Sequence, residues 1–168
     1  SGGGKSTLLA ELKARGHRVF EEPGRRVVRR ERETGGDALP WTNAERFAHA
    51  CIALALNDLR EAKAHAGLSF FDRSLVDAVN ALEHMERPVP DEARRALDAR
   101  PYHDRVFMAP PWPEIYRTDA ERKHGFDEAR AEYDRLTLAY PRYGYGIQVL
   151  PKCAPAERAD FVLRALED

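Results

Sequence analysis

SGGGKSTLLAEL, residues 1–12, carries most of a phosphate-binding pattern. The pattern G-x-x-x-x-G-K-[ST] needs its first glycine two positions before Ser1, and Gly4, Lys5 and Ser6 then fill its last three positions. In such a loop the backbone wraps phosphate oxygens, the lysine reaches the β- and γ-phosphates, and the hydroxyl binds Mg²⁺. A helix that begins at Lys5 adds its positive end. The pattern therefore predicts a nucleotide site at Ser1, Gly2, Gly3, Gly4, Lys5, Ser6 and Thr7.

A flexible glycine-rich tail ahead of a helix is the alternative interpretation of this stretch. It does not explain why GKST stands directly before TLLAEL, a sequence that favours an amphipathic helix. If the loop is a phosphate-binding loop, an apolar strand precedes it inside the sheet. Burying four or five such side chains, at about 1.5–3 kcal/mol each, is comparable with much of a domain's stability of about 5–15 kcal/mol. We therefore expect the biological chain to extend upstream of Ser1, so that the first strand of the sheet is missing here.

Composition and charge limit the classes of protein that the chain can represent. The 168 residues suffice for one domain with a full core, and 43% hydrophobic with 33% charged residues is typical of a globular protein. A net charge of −1 provides no overall field for nucleic acid, and no apolar run is long enough to span a membrane. We expect one domain over residues 1–168, a cytoplasmic location and no nucleic-acid partner.

Strand and helix signals alternate along the chain. Apolar runs at 17–21, 68–72, 105–109 and 145–150 predict strands, and the segments between them have helical periodicity. The run that ends at Asp72 is continuous, as is typical of a strand buried on both faces. This order predicts an α/β fold with a mainly parallel sheet.

Two acidic positions follow predicted strands. Asp72 ends the run LSFF and is placed like the acid that secures Mg²⁺ in phosphate-binding-loop proteins; an ordinary helix-capping aspartate is the alternative. Glu22, in EEPGRR, follows the strand near residues 17–21 and could accept a proton from an acceptor hydroxyl. Glu21 competes for this role, and a solvated acid pair at a helix start is the plainer interpretation.

Four motifs together give a resemblance to known families. GGGKST, EEPGR, FFDRS and IYRTDAERK, in that order, resemble the P-loop kinases of the deoxynucleoside kinase and thymidylate kinase group. GGDALPW, FFDR, RVFMAPPWPEIY and DAERK are more closely similar to the bacterial AAA-type ATPases related to the ribosylnicotinamide kinase domain. The resemblance covers nearly the whole chain. It implies a P-loop three-layer sandwich with a kinase-like strand order, and a lid at about residues 112–126.

The resemblance also implies roles for individual residues. Glu22 matches the general base of the deoxynucleoside kinases, and Arg25 matches the arginine that holds the acceptor. Arg73 matches an arginine near the transferring phosphate, and the lid cations that would close on the phosphates are Arg117, Arg122 and Lys123. Lys5, Glu22, Asp72, Arg73 and Arg122 are the expected catalytic residues, with Ser6 and Asp72 at the metal.

The acceptor is less clearly marked than the nucleotide. Asp72 stands where deoxynucleoside kinases often have glutamate, and their acceptor-binding glutamine motif is not evident in residues 43–59, so the acceptor class stays open. Trp41 and Phe47 could form a wall for an aromatic acceptor, although core packing explains them equally well. No guanine-reading NKxD motif is present, which favours ATP as the donor.

These observations favour an ATP- and Mg²⁺-dependent phosphotransferase that moves the γ-phosphoryl group to a hydroxyl of a small, nucleoside-like or other metabolite. The alternative is a nucleotide-binding switch that hydrolyses ATP slowly and acts on a protein or lipid partner. The switch would need Lys5 and Asp72 but not Glu22. The oligomeric state is open, with a homodimer as the assembly considered.

Overall fold

The computed structural model describes residues 3–115 and 125–167. Within it the chain forms two compact units: Ser1–Val19 with His103–Asp168, called unit 1 below, and Phe20–Tyr102, called unit 2. Over the described residues the elements are α1 (Lys5–Ala14), β1 (Arg18–Phe20), α2 (Pro23–Thr34), α3 (Ala44–Lys63), β2 (Ser69–Phe71), α4 (Leu75–His84), α5 (Asp91–Asp98), β3 (Arg105–Met108), a 3-10 helix (Pro113–Ile115), α6 (Phe126–Arg142), β4 (Gly146–Val149) and α7 (Pro155–Glu167).

In its described part, unit 1 combines a parallel strand pair with three α-helices and a 3-10 helix. Strands β3 and β4 pair in parallel, with Arg105 opposite Gly146 and Met108 opposite Val149. Helix α6 packs on β4, and helix α1 packs on α7. On these last two helices the small and branched apolar side chains are buried, namely Leu8, Leu12, Ala159, Val162 and Ala165. The core of unit 1 therefore fixes α1, whose first residue is Lys5, against the last helix of the chain.

Unit 2 is mainly helical and begins at Phe20, the last residue of β1. Strands β1 and β2 form a two-stranded sheet, and the backbone N–H of Asp72 donates to the Phe20 carbonyl at 2.9 Å. The rings of Phe20 and Phe71 stack with their centroids 4.7 Å apart. Helix α3 packs against α2, α4 and α5. Residues that follow Phe20 and Phe71 in sequence are thus held at one end of this sheet.

The helix ends follow from local side-chain chemistry. Asn43 caps α3, because its side chain accepts from the N–H of Arg46 at 3.1 Å. Ser74 and Asp77 form a reciprocal capping box at the start of α4. Gly35 ends α2 at φ 70°, a left-handed conformation that glycine adopts without a Cβ penalty. Asparagine before a helix and glycine after one are the residue types that typically mark helix starts and ends in a sequence.

The predicted alternation of helices and strands is confirmed as a mixed helix and strand fold, with two differences. The expectation that residues 68–72 form a strand buried on both faces is wrong: β2 has only three residues, all partly exposed, and Leu68 before it is 44% exposed. The described strands also form two pairs rather than one sheet. A strand in a two-stranded sheet has a partner along one edge only, so it packs less completely. The sandwich, the kinase-like strand order and the single-domain organisation remain predictions.

Candidate functional site: the glycine loop and an acidic strand end

The glycine loop of unit 1 leads directly into α1. Gly4 is the N-cap residue at φ 70° and ψ 27°, and Lys5 is the first helical residue. The Thr7 hydroxyl donates to the Gly4 carbonyl at 2.9 Å, while the Ser6 side chain is exposed. The first backbone N–H groups of a helix have no partner inside the helix and favour an anion. Ser6 therefore presents its hydroxyl at the positive end of α1.

Close packing leaves no room for a side chain at Gly3 or Gly4, the two described glycines of the loop. A Cβ on Gly3 would lie 2.6 Å from the Pro110 carbonyl oxygen. A Cβ on Gly4 would lie 2.7 Å from Nη1 of Arg158 and 3.2 Å from Cδ1 of Ile115. Such a backbone cradle suits phosphate oxygens, and the lysine and hydroxyl beside it are the groups that hold a nucleotide and its Mg²⁺. The residues present thus fit a magnesium nucleotide.

Gly4→Ala should weaken Mg-ATP binding at least about tenfold, or about 1.4 kcal/mol. Alanine at φ 70° is strained, and its methyl group would also displace Arg158 or Ile115. Gly35→Ala is the matched control, because Gly35 has nearly the same backbone, φ 70° and ψ 24°, with nothing within 4 Å of an added Cβ. It should lower the free energy of unfolding by about 1–2 kcal/mol and leave affinity unchanged. Equal affinity losses in isothermal titration calorimetry of both variants would count against the loop as the binding site.

In unit 2, Glu22 lies in a confined environment after β1. Its side chain is 19% exposed, and its Oε2 lies 3.8 Å from Nε of Arg25. A Cβ on Gly24 would lie 3.2 Å from Cζ of Phe47 and 3.3 Å from Oε1 of Glu22, so the ring and the carboxylate both border Gly24. Glu22, Arg25 and Phe47, three residues expected at the acceptor, therefore come together.

Asp72 and Arg73 occupy the end of β2. Asp72 is buried, and Arg73 has a left-handed backbone at φ 71°, which is uncommon for a residue with a side chain. Nη1 of Arg73 donates to Oδ1 of Asp77 at 2.9 Å, and Asp77 also caps α4 through Ser74. The strained backbone and the ion pair to Asp77 fix where the Arg73 guanidinium lies. Such strain is found preferentially at functional sites.

Glu21 forms an ion pair with Arg29. Both of its carboxylate oxygens accept from the Arg29 guanidinium, at 2.7 and 2.6 Å. This hydrogen bonding lowers the pKa of Glu21 despite some burial that acts in the opposite direction. A carboxylate whose proton affinity is lowered in this way is a poor proton acceptor. Of the two adjacent acids, Glu21 is thus the one held in an ion pair with Arg29.

Cys51 lies on the buried side of α3. Burial raises the pKa of its thiol to about 12, with a smaller contribution from the charge of Glu22. A thiol with so high a pKa remains protonated near neutral pH and is not a nucleophile. Cys51 therefore acts as a small buried hydrophobe.

The remaining predicted residues are placed as follows. Trp41 lies against the Arg32 guanidinium, which is 5.5 Å from the ring centroid. Ser1, Gly2, Arg117, Arg122 and Lys123 lie outside the described residues, as does most of the expected lid. Arg158 was not predicted, although it lies on the same face of α7 as the buried Val162 and Ala165. The sequence feature that could have identified Arg158 is the presence of an arginine on an otherwise apolar helix face.

Two features are absent from the described residues. No cluster of three or more histidine, cysteine, aspartate or glutamate side chains that could hold a metal is present among residues 3–115 and 125–167. None of the helices described there combines the length and apolar character needed to cross a membrane.

The family follows from comparison with known proteins. The family model described as an AAA domain matches residues 1–158 of this chain. The chain therefore belongs to the AAA domain family, a class of P-loop nucleotide-binding proteins. No curated protein and no solved structure matches the chain.

Proposed function

We propose that this protein is a phosphotransferase that moves the γ-phosphoryl group of ATP to a hydroxyl of a small metabolite. The nucleotide part of the proposal is supported by family membership and by the glycine loop before α1. The observation that carries the transfer step is the confined carboxylate of Glu22, which borders Gly24 and Phe47, whereas Glu21 is held by Arg29.

Each residue has a distinct part in the proposed reaction. Lys5 would bind the β- and γ-phosphates, and Ser6 with Asp72 would hold Mg²⁺, whose charge would be available to compensate that of the transferring group. Arg25 orients the acceptor beside the Phe47 ring, and Arg73 compensates charge that develops in the transition state. Arg117, Arg122 and Lys123 supply further positive charge from the lid. Phosphoryl transfer asks mainly for positioning and charge compensation, which these residue types provide.

The chemical step is an in-line displacement. The acceptor oxygen forms a bond to the γ-phosphorus while the bond from that phosphorus to the β,γ-bridging oxygen breaks, and ADP leaves with the bridging oxygen. The proton of the acceptor hydroxyl passes to the Glu22 carboxylate. The step consumes ATP and the acceptor alcohol and yields ADP and the phosphomonoester.

A panel of acceptors tests this function. ADP release from Mg-ATP by the full-length protein is measured with nucleosides, ribosylated vitamins and other small alcohols. One acceptor class should raise the rate at least about 100-fold above hydrolysis, a modest fraction of known enzymatic accelerations, and a phosphorylated acceptor should form in equal amount to ADP. Slow turnover that no acceptor stimulates would contradict transfer and indicate a nucleotide switch instead.

A further inference from the structure

Arg158, in the first turns of α7, is joined to the glycine loop. It is one of the most completely buried side chains, with 2% exposure. Its Nη1 donates to the carbonyl oxygens of Gly3 at 2.8 Å and Gly4 at 3.2 Å. The same atom excludes a Cβ at Gly4. One guanidinium thus bonds two consecutive loop carbonyls, and it shares the Gly4 carbonyl with the Thr7 hydroxyl and the Leu8 N–H.

Among residues 3–115 and 125–167, the other two nitrogens of the Arg158 guanidinium have no hydrogen-bond partner. Nε and Nη2 are buried, and neither donates a hydrogen bond to any acceptor in the described part of the chain. The neighbouring acids of α7 are occupied: Glu157 accepts from the N–H of Ala154, and Asp160 pairs with Arg15. Burial lowers the pKa of Arg158, as expected of a cation removed from water.

A buried cation of this kind is costly without a nearby anion. Arginine nevertheless keeps its proton in proteins, so the positive charge persists. Since charges interact strongly where water is excluded, a polyphosphate bound at the loop would be attracted to this charge without having to touch it. The loop carbonyls, which Arg158 holds, fix the orientation of the loop's N–H groups because the peptide unit is planar.

We propose that Arg158 is a positioning residue for the nucleotide: it fixes the carbonyls of Gly3 and Gly4 and supplies a buried positive charge that bound phosphates neutralise. The ligand it favours is a di- or triphosphate anion rather than a neutral molecule. The inference rests on nucleotide binding by the proposed function, and not on phosphoryl transfer.

Three substitutions separate charge from hydrogen bonding. Arg158→Lys keeps a cation and a donor, Arg158→Gln keeps a donor alone, and Arg158→Met keeps neither. Dissociation constants for Mg-ATP and AMP are measured by titration calorimetry of the full-length proteins. The Mg-ATP constant should rise at least about tenfold in both neutral variants and at most about threefold in Arg158→Lys, while the AMP constant changes less in each.

Arg105→Met is the matched control, because Arg105 also lies in unit 1 and its Nη1 donates to a backbone carbonyl, that of Ala165. It should leave the Mg-ATP constant unchanged. The proposal would be overturned if the glutamine variant bound Mg-ATP as the wild type does, or if the lysine and glutamine variants lost equal affinity. Arg158 would then have a structural role only. Failure of the wild-type protein to bind Mg-ATP would instead overturn the nucleotide site itself. Comparing the lysine and glutamine variants still decides the question if Arg158→Met does not fold.

Discussion

Glu22→Gln is expected to lower acceptor-dependent ADP formation by about 100- to 10,000-fold, the usual contribution of a general base. The amide has nearly the shape of the carboxylate but cannot take the hydroxyl proton. Affinity for Mg-ATP should change little, because Glu22 is assigned to the acceptor and not to the phosphates. Steady-state rates and a separate binding titration give the two quantities.

Glu21→Gln is the matched control for this prediction. The two acids are adjacent, yet Glu21 is bound by both terminal nitrogens of Arg29, and this lowers its pKa. Its replacement should leave acceptor-dependent turnover within about threefold of wild type, as expected away from the reacting atoms. If Glu21→Gln abolished turnover and Glu22→Gln did not, the assignment of the base would be wrong.

Arg26→Met is expected to destabilise the protein by about 3 kcal/mol. Nη1 of Arg26 donates to both oxygens of Asp58, at 2.8 and 2.7 Å, and so joins α2 to α3. The Asp58 side chain is only 3% exposed, and removing its partner leaves a buried charge uncompensated. Chemical denaturation, monitored by circular dichroism, gives the change in the free energy of unfolding.

Arg60→Met provides the comparison for Arg26→Met. Arg60 also pairs with an acid on another helix, Glu92, but both side chains are 63% exposed. Its loss should cost less than about 1 kcal/mol. Adding Asp58→Leu to Arg26→Met should restore most of the lost stability, because no buried charge then remains. Equal effects of the two arginine substitutions would contradict the role given to burial.

Local signals in the sequence account for several of the helix ends. Asn43, Pro23 and the Gly35-Gly36 pair act within a few residues of themselves, so their effects can be read directly from the sequence. The start of α1 at Lys5 likewise follows from the glycine motif. These features depend on hydrogen bonds and backbone angles within one turn of helix.

Features that depend on contacts between distant residues were harder to predict from the sequence. The contact of Arg158 with the glycine loop joins residues 155 positions apart, and no local pattern encodes it. The partial exposure of β2 was also missed, because an apolar run shows which residues can be buried but not how many strands will pair beside them. The choice between Glu21 and Glu22 likewise needed the position of Arg29, eight residues from Glu21.

Binding of Mg-ATP to the full-length protein tests the central claim, that the loop at Gly3–Thr7 holds nucleotide phosphates. Isothermal titration calorimetry should show saturable binding of one nucleotide per chain, with a dissociation constant between about 1 μM and 1 mM, the range typical of enzyme substrates. Affinity should fall when Mg²⁺ is chelated and be largely lost in Lys5→Met. Absence of saturable binding, or binding that Lys5→Met leaves intact, would contradict the account.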